Sequence, residues 1–229
     1  MATYVLVHGA YQGGWIWKPV ATRLRAAGHV VLTPTLDGCG ERHQLVRRGV
    51  TVATHAREVA QLLFYEDLTG VVLVGTSSGG MVIQKAAELA RDRIARLVFV
   101  DALALLPGER VDAIVKRAAP NQTDELTTGP TRADAESRLF RGLEPGVRAW
   151  ALARITPHPV AALEAPMEPT TFWEQAWPAT VIRCLRATNP PEAHQRRTAE
   201  RLKAAWRELD TGHYPMLSEP EALTRLLLG

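Results

Sequence analysis

The sequence VVLVGTSSGG, residues 71–80, gives the clearest indication of the architecture of this 229-residue chain. Four apolar and mostly β-branched residues, 71–74, predict a short strand that is buried on both faces of a sheet. Glycines at positions 75 and 79 frame Ser77 in a Gly-x-Ser-x-Gly pattern, and a helix-spaced segment follows at residues 81–90. A serine on a sharp turn between a strand and a helix is the context in which this motif supplies a nucleophile. A chance glycine-rich turn is the alternative interpretation.

Short apolar runs of the same character lie on both sides of this sequence. Residues 4–7 and 30–32 precede it and residues 97–100 follow it, with helix-spaced segments between them. Strands that alternate with helices, without hairpin turns, are typical of a parallel sheet with helices on both faces. We therefore predict a doubly wound, mostly parallel α/β sheet in one domain, residues 1–229. The pattern resumes at residues 180–184 and closes with a strand at 207–209 and a helix at 219–228.

Residues 103–178 interrupt this alternation. Prolines divide the segment into short helical pieces, no strand is predicted in it, and it contains Trp150, Trp173 and Trp177. A segment that is too irregular for its own core but rich in large apolar side chains is expected to cover the strand ends as a helical lid. We predict that Trp150 and Trp173 contact an apolar or aromatic substrate. The alternative is that they pack the lid on the core.

The composition excludes several classes of protein. With 46% hydrophobic and 22% charged residues, the chain is neither disordered nor fibrous. The net charge is +3, but no basic stripe with interleaved aromatic residues predicts a nucleic-acid partner. Because no apolar run approaches the roughly 20 residues that span a bilayer and the first residues lack a leader pattern, we expect a cytoplasmic protein with no membrane partner. Cys39 and Cys184 match no metal-ligand spacing, and no metal site is predicted.

His213 is the predicted base for Ser77. A serine hydroxyl is a weak nucleophile at neutral pH and needs an acceptor for its proton. The sequence TGHYP, residues 211–215, follows the last strand and precedes the last helix, which brings His213 to the same sheet edge as Ser77. The other histidines have no comparable placement, and all but the first two are expected on the surface: His8, His29, His43, His55, His158 and His194.

The backbone N–H groups of Ala10 and Ser78 are the predicted oxyanion donors. Ala10 lies in the glycine-rich sequence HGAYQGGW, residues 8–15, directly after the first strand. A loop in this position and the residue after the nucleophile are the usual sources of the two donors. The helix that begins after Ser77 also directs its N–H groups and its positive dipole end toward a developing oxyanion.

Five motifs together resemble the α/β-hydrolase superfamily. More narrowly, they are similar to the small branch with plant methyl esterases of the salicylate-binding type, hydroxynitrile lyases and bacterial esterase-like relatives. The resemblance covers nearly the whole chain and implies an α/β-hydrolase fold and no cofactor. Homodimers are common in this branch, which makes a homodimer a candidate assembly. The motifs are HGAYQGGW (8–15), GTSSGGMVI (75–83), LVFVDA (97–102), RITPHP (154–159) and TGHYPML (211–217).

Three positions of the resembled branch are expected to contact the substrate. The lyase members carry Thr and Lys where this chain has Gly9 and Tyr214, and many relatives carry His where it has Thr76. We therefore predict Gly9, Thr76 and Tyr214 as substrate-binding residues. The two exchanged lyase positions argue against hydroxynitrile lyase chemistry.

The acid of the triad departs from the resembled pattern. The plant members carry it after the penultimate strand, where this chain has Ala187 and no Asp. Asp101, at the end of the strand that follows the nucleophile helix, preserves the chain order Ser-Asp-His and is our predicted acid. Glu192 and Asp210 are the rivals, and a cap at the strand end is the alternative role for Asp101.

These residues predict a cofactor-free serine hydrolase that cleaves a carboxylic ester or lactone through an acyl-enzyme on Ser77. Two alternatives stay open because a fold does not fix a reaction. The first is a tailoring enzyme that performs elimination, cyclisation or C–C cleavage on an aromatic or polyketide-like substrate with His213 as base. The second is a catalytically silent protein that binds a small molecule.

Overall fold

The computed structural model describes residues 1–116, 121–168 and 170–229. Residues 117–120 and 169 of the predicted lid lie outside the described residues. The strands are β1 (Thr3–Val7), β2 (Val30–Leu32), β3 (Val71–Ser77), β4 (Ile94–Ala102), β5 (Gln122–Thr123), β6 (Thr127–Gly129), β7 (His158–Pro159), β8 (Ala179–Cys184) and β9 (Ala205–Leu209).

A six-stranded sheet in the order β2-β1-β3-β4-β8-β9 forms the centre of the molecule, and each neighbouring pair in it is parallel. The prediction of a mostly parallel α/β sheet is therefore confirmed. Because β3 lies between β1 and β4, the residues that follow these three strands meet at one edge of the sheet. This edge holds Ala10, Ser77 and Asp101 close together in space.

Helices flank the sheet on both faces. They are α1 (Lys18–Ala26), α2 (Val52–Tyr65), α3 (Gly79–Leu89), α4 (Val111–Ile114), α5 (Arg132–Asp134), α6 (Pro145–Leu152), α7 (Val160–Glu164), α8 (Glu192–Leu202), α9 (Pro215–Ser218) and α10 (Pro220–Leu228). Helix α2 begins at a capping box, in which Thr51 Oγ1 accepts from the Thr54 N–H and Thr54 Oγ1 accepts from the Thr51 N–H. Within the described chain, no helix has the length and apolar character to cross a membrane.

The core consists of two apolar layers, one on each face of the sheet. Alternate residues of a strand point to opposite faces. Val5 and Leu73 therefore pack with α2, α3 and α8, whereas Leu6 and Val74 pack with α1, α9 and α10. All four side chains are fully buried. Strands that are apolar on both faces thus explain the unbroken apolar runs of the sequence.

The segment 103–178 contains three short strands, which corrects the prediction that it has none. In it, β5 and β7 pair antiparallel with β6 on either side. Asp124 Oδ1 closes the turn between β5 and β6 because it accepts from the N–H groups of Leu126 and Thr127. Strands of two or three residues carry no alternation that a sequence pattern could reveal. The segment is therefore a mixed helix-and-strand insertion.

The insertion lies over the loop that follows β1. Leu163 and Met167 of the insertion form one apolar cluster with Ala10 and Met81 of the sheet edge and its helix. Val111 of α4 belongs to the same cluster. The insertion therefore forms a wall above the carboxyl ends of the central strands.

Candidate active site

Ser77 occupies a strained turn between β3 and α3. Its φ of 53° lies in the left-handed region, which costs free energy for any residue with a side chain. The flanking glycines make the turn sterically feasible. A Cβ added at Gly75 would lie 2.6 Å from the carbonyl oxygen of Gly79, and one added at Gly79 would lie 2.5 Å from that of His8. The Gly-x-Ser-x-Gly spacing therefore follows from the space available at this turn.

Asp101 and His213 form a short hydrogen bond. His213 Nδ1 and Asp101 Oδ2 are 2.5 Å apart, and the Asp101 side chain is fully buried. Since a carboxylate only accepts, Nδ1 carries the proton in this pair, and Nε2 is left to accept one. Of the rival acids, Glu192 pairs with Arg183 and Arg196 and Asp210 pairs with Arg186.

A bulge in β4 directs Asp101 toward His213. Thr76 pairs with Val100 and Ser77 pairs with Ala102, so Asp101 is the extra residue on its strand. Its φ of 45° is again left-handed. A bulge re-aims the side chain of the additional residue. The acid thus reaches the histidine from a central strand, whereas the Ala187 position on the cavity wall offers no carboxylate.

Gln195 and Cys184 bind the other oxygen of Asp101. Gln195 Nε2 donates to Asp101 Oδ1 at 2.8 Å, and the Cys184 N–H donates to the same atom at 3.2 Å. Neither residue is predicted from the sequence to contact the acid. A glutamine in a helix among charged residues carries no signal that would distinguish it from a solvated position.

A cavity of about 830 Å³ opens beside these residues. It is lined by Ser77, His213, Ala10 and Ser78, so the predicted nucleophile, base and oxyanion donors share one space. Apolar side chains form much of the wall, and polar and charged ones also contribute to it. The apolar ones include Leu103, Val111, Leu139, Leu143, Val147, Leu163 and Leu217, and the polar ones include Lys116, Asn121, Ser137, Arg141, Glu144 and Arg186.

Gly9 and Thr76 are next to Ser77 but are not among the residues that line the cavity. Thr76 precedes Ser77 on β3, so its buried side chain points to the face of the sheet opposite to that of Ser77. A Cβ added at Gly9 would lie 2.7 Å from Ser77 Cβ. The structure therefore does not bring these two residues to the cavity wall, and their contact with a substrate stays a prediction. Gly9 allows the β1 loop to approach the nucleophile closely.

Trp150 and Trp173 are not among the residues that line the cavity either, so the structure does not place them where a contact with substrate was predicted. Trp150 packs edge-on against Trp15, with ring centroids 5.3 Å apart, and Arg154 covers its ring. Trp173 Nε1 donates to the carbonyl oxygen of Leu105 at 3.0 Å. These tryptophans pack the insertion on the core, and smaller aliphatic side chains form the cavity wall.

Three histidines that were expected on the surface are buried. His55 and His158 are 1% and 3% exposed and have ring centroids 5.9 Å apart, and His194 is 6% exposed and accepts from the Ala104 N–H. His8 is also buried, and its Nε2 accepts from the Leu36 N–H at 3.0 Å. Burial lowers the pKa of all four and brings the pKa of His8 and His194 to about 4. These rings therefore stay neutral at physiological pH.

We expect His8 to make the fold acid-labile. The unfolded chain binds a proton on His8 near its ordinary pKa of 6.5, whereas the folded chain stays neutral until about 4. Stability is therefore lost as the pH falls. His8 alone should lower the free energy of unfolding by about 2 kcal/mol when the pH falls from about 7 to about 5. Urea unfolding at these two pH values measures this loss of stability. The loss should be smaller by this amount in His8→Gln than in the wild type, and an equal loss in both proteins would refute the assignment.

A profile of the alpha/beta hydrolase family matches residues 4–226. The chain belongs to this family. Among curated proteins, a carbendazim hydrolyzing esterase of Nocardioides sp. is 37% identical over 177 residues, which cover 73% of each protein. Methylesterase 7 of Arabidopsis thaliana is 25% identical over 245 residues, which cover 98% of this chain and 94% of the plant protein. These relatives of the α/β hydrolase are esterases.

Solved structures share the fold over the full length of this α/β hydrolase. An extracellular alpha/beta-hydrolase from a Paenibacillus species, described as sharing structural and functional homology with tobacco salicylic acid binding protein 2, has a TM-score of 0.84 at 22% identity. It covers 100% of this chain and 98% of its own. A methylesterase from Arabidopsis has a TM-score of 0.80 at 21% identity, with the same coverage. The resemblance inferred from the motifs is confirmed.

Tyr214, on the histidine loop of this α/β hydrolase, lies close to the β1 loop. Its side chain is buried, lines the cavity and interacts electrostatically with the side chain of Gln12. Gln12 Oε1 accepts from the Gly9 N–H at 3.2 Å. Burial raises the pKa of Tyr214, so its hydroxyl stays protonated.

Within the described part of the chain, no group of three or more His, Cys, Asp or Glu side chains is arranged to hold a metal ion.

Proposed function

We propose that this α/β hydrolase cleaves a carboxylic ester or lactone through an acyl-enzyme on Ser77. His213 is the general base and acid, and Asp101 orients it. The observation that carries this proposal is the 2.5 Å hydrogen bond between His213 Nδ1 and Asp101 Oδ2 at the edge of a cavity that Ser77 also lines.

The reaction has two halves that use the same groups. Ser77 Oγ attacks the ester carbonyl carbon while His213 Nε2 takes its proton. The N–H groups of Ala10 and Ser78 stabilise the oxyanion, and the alcohol leaves with the proton from His213. A water molecule, deprotonated by His213, then attacks the acyl carbon and releases the acid. Asp101 keeps Nδ1 protonated throughout and stabilises the imidazolium that forms in each half.

The cavity wall supports an ester with an apolar acyl or aryl group. Leu139, Val147 and Leu163 of the insertion line the same cavity as Ser77. Apolar walls with a few polar groups are typical of sites for small organic molecules. The Nocardioides relative is named for its hydrolysis of carbendazim and the plant relatives are named methylesterases. The methylesterase name agrees with a small alcohol as the leaving group.

Burst kinetics with an activated aryl ester test the proposal. We expect a rapid release of one aryl alcohol per protein, followed by slower turnover, because the acyl-enzyme accumulates. A serine-directed phosphonate should label Ser77 and abolish the burst. Turnover without any acyl-enzyme would favour the tailoring alternative, and binding without turnover would favour the silent binding protein.

Val147 should control which acyl groups enter the cavity. It lies on α6, and its side chain faces the cavity. Val147→Phe should lower kcat/KM for bulky aryl esters relative to acetyl esters by roughly 10-fold, because the larger ring takes up space in the wall. Trp150→Ala on the same helix is the matched control and should leave this ratio unchanged, since Trp150 packs on Trp15. A larger change of the ratio in Trp150→Ala would contradict the assignment of the wall.

A further inference from the structure

We propose that Gln195 is a positioning residue that fixes the Asp101 carboxylate so that Oδ2 faces His213. The inference rests on the proposed function, in which Asp101 orients His213. It assigns a role to a residue on α8, an element that contributes no group to the reacting atoms.

The Gln195 amide is held in a single orientation. The side chain is 1% exposed, and its Nε2 donates to Asp101 Oδ1 at 2.8 Å and to the carbonyl oxygen of Pro190 at 2.9 Å. Both N–H groups are therefore used. A flipped amide would place its oxygen against a carboxylate and a carbonyl, two acceptors, so the orientation follows from the hydrogen-bond chemistry.

Asp101 needs a donor of this kind. Its carboxylate is fully buried, and among the ion pairs of the described residues it takes part only in the one with His213. A buried carboxylate requires hydrogen-bond donors in place of water. The Cys184 N–H, at 3.2 Å, is the other donor to Oδ1. Without Gln195, one longer bond would hold Oδ1, and the carboxylate would be free to rotate away from His213.

A neutral donor suits this position better than a cation. An amide binds Oδ1 without cancelling the negative charge that stabilises the His213 imidazolium. An Arg or Lys in its place would compete with His213 for that charge.

Gln195→Met tests the inference, because methionine has a similar length but no donor. We expect kcat to fall by roughly 10- to 100-fold, by analogy with the loss found when a hydrogen-bond partner that orients a metal ligand is removed. KM should change by less than about 2-fold, since Gln195 does not line the cavity. The acid limb of the pH profile of kcat/KM should move to lower pH, because a misaligned carboxylate stabilises the imidazolium less.

Thr198→Val is the matched control on the same helix. Thr198 is 1% exposed, and its hydroxyl donates to the carbonyl oxygen of His194. This variant removes a buried polar group from α8 and should keep the wild-type kcat and pH profile. An equal loss of kcat in Thr198→Val and Gln195→Met would show that only the packing of α8 matters and would overturn the inference.

Gln195→Glu gives a second test that does not depend on the first variant folding. Two carboxyl groups within hydrogen-bond distance cannot both ionise readily. While it is protonated, the introduced carboxyl group donates to Asp101 as the amide does, and this donor is lost as the pH rises. Relative to wild type, kcat/KM should therefore fall by roughly 10-fold or more from about pH 6 to about pH 9. A ratio independent of pH would overturn the inference.

Labelling of the wild-type protein with a serine-directed phosphonate separates this inference from the proposed function. A wild-type protein that resists labelling overturns the proposed function, and the inference falls with it. A labelled wild type together with unchanged kcat and pH profile in Gln195→Met overturns the inference alone.

Discussion

The Ser77→Ala variant should lose ester turnover by roughly 10³-fold or more. The substitution removes the hydroxyl that attacks the carbonyl. Ser78, the other serine of the turn between β3 and α3, caps the helix and does not have the glycine spacing of the motif. The fold should persist, because Ala removes one oxygen and the flanking glycines still permit the left-handed turn. Steady-state kinetics with an activated aryl ester and thermal unfolding of both proteins measure the two effects.

The same variant discriminates between the open alternatives. Phosphonate labelling should disappear in Ser77→Ala together with the burst. If the variant keeps near-native activity, the acyl-enzyme proposal is wrong, and an elimination with His213 as base becomes the better explanation.

Asp101→Asn should lower kcat by roughly 10² to 10⁴, by analogy with other Ser-His-Asp systems. The asparagine keeps the shape of the side chain, and its oxygen can still accept from Gln195 and the Cys184 N–H. Its amide nitrogen would then face His213 Nδ1 as a donor. Nδ1 must accept, so the proton moves to Nε2, which can no longer take the proton of Ser77.

Glu192→Gln is the control for the assignment of the acid. Glu192 begins α8 and pairs with Arg196 on the surface. Its amide variant should retain wild-type kcat. A greater loss in Glu192→Gln than in Asp101→Asn would show that the acid has been misassigned.

The central sheet could be predicted from the sequence because its strands are apolar on both faces. Runs such as residues 71–74 need no tertiary information to be recognised as strands, and the glycines around Ser77 identify the turn. The small sheet β5-β6-β7 could not be predicted, since strands of two or three residues depend on contacts with distant parts of the chain. For the same reason His55 and His158 were expected on the surface: their burial results from helices and loops that meet only in the folded chain.

The residues of the candidate site could be predicted from the sequence where their place in the chain, relative to the strands, decides where they lie in the fold. The structure brings Ser77, Asp101 and His213 to one sheet edge because each lies at or just beyond the carboxyl end of a strand of the same parallel sheet. The direction of a side chain does not follow from its place in the chain. Trp150 and Val147 lie on one helix within one turn of each other, yet only Val147 faces the cavity. Gln195 was missed because its partner, Asp101, is 94 residues away.

Because of the bulge in β4, the proposed acid and the cavity-lining residues of the turn after β8 lie on different elements of the chain. The proposed acid belongs to a strand that is held on both sides by β3 and β8. The turn after β8 therefore carries no reacting group, although Ala187 and Thr188 line the cavity. Exchanges at these two positions can reshape the space offered to a substrate while the acid stays in place. In a library built for new ester substrates, Ala187 and Thr188 are therefore positions to randomise, whereas Pro190 of the same turn should be kept because its carbonyl oxygen binds Gln195.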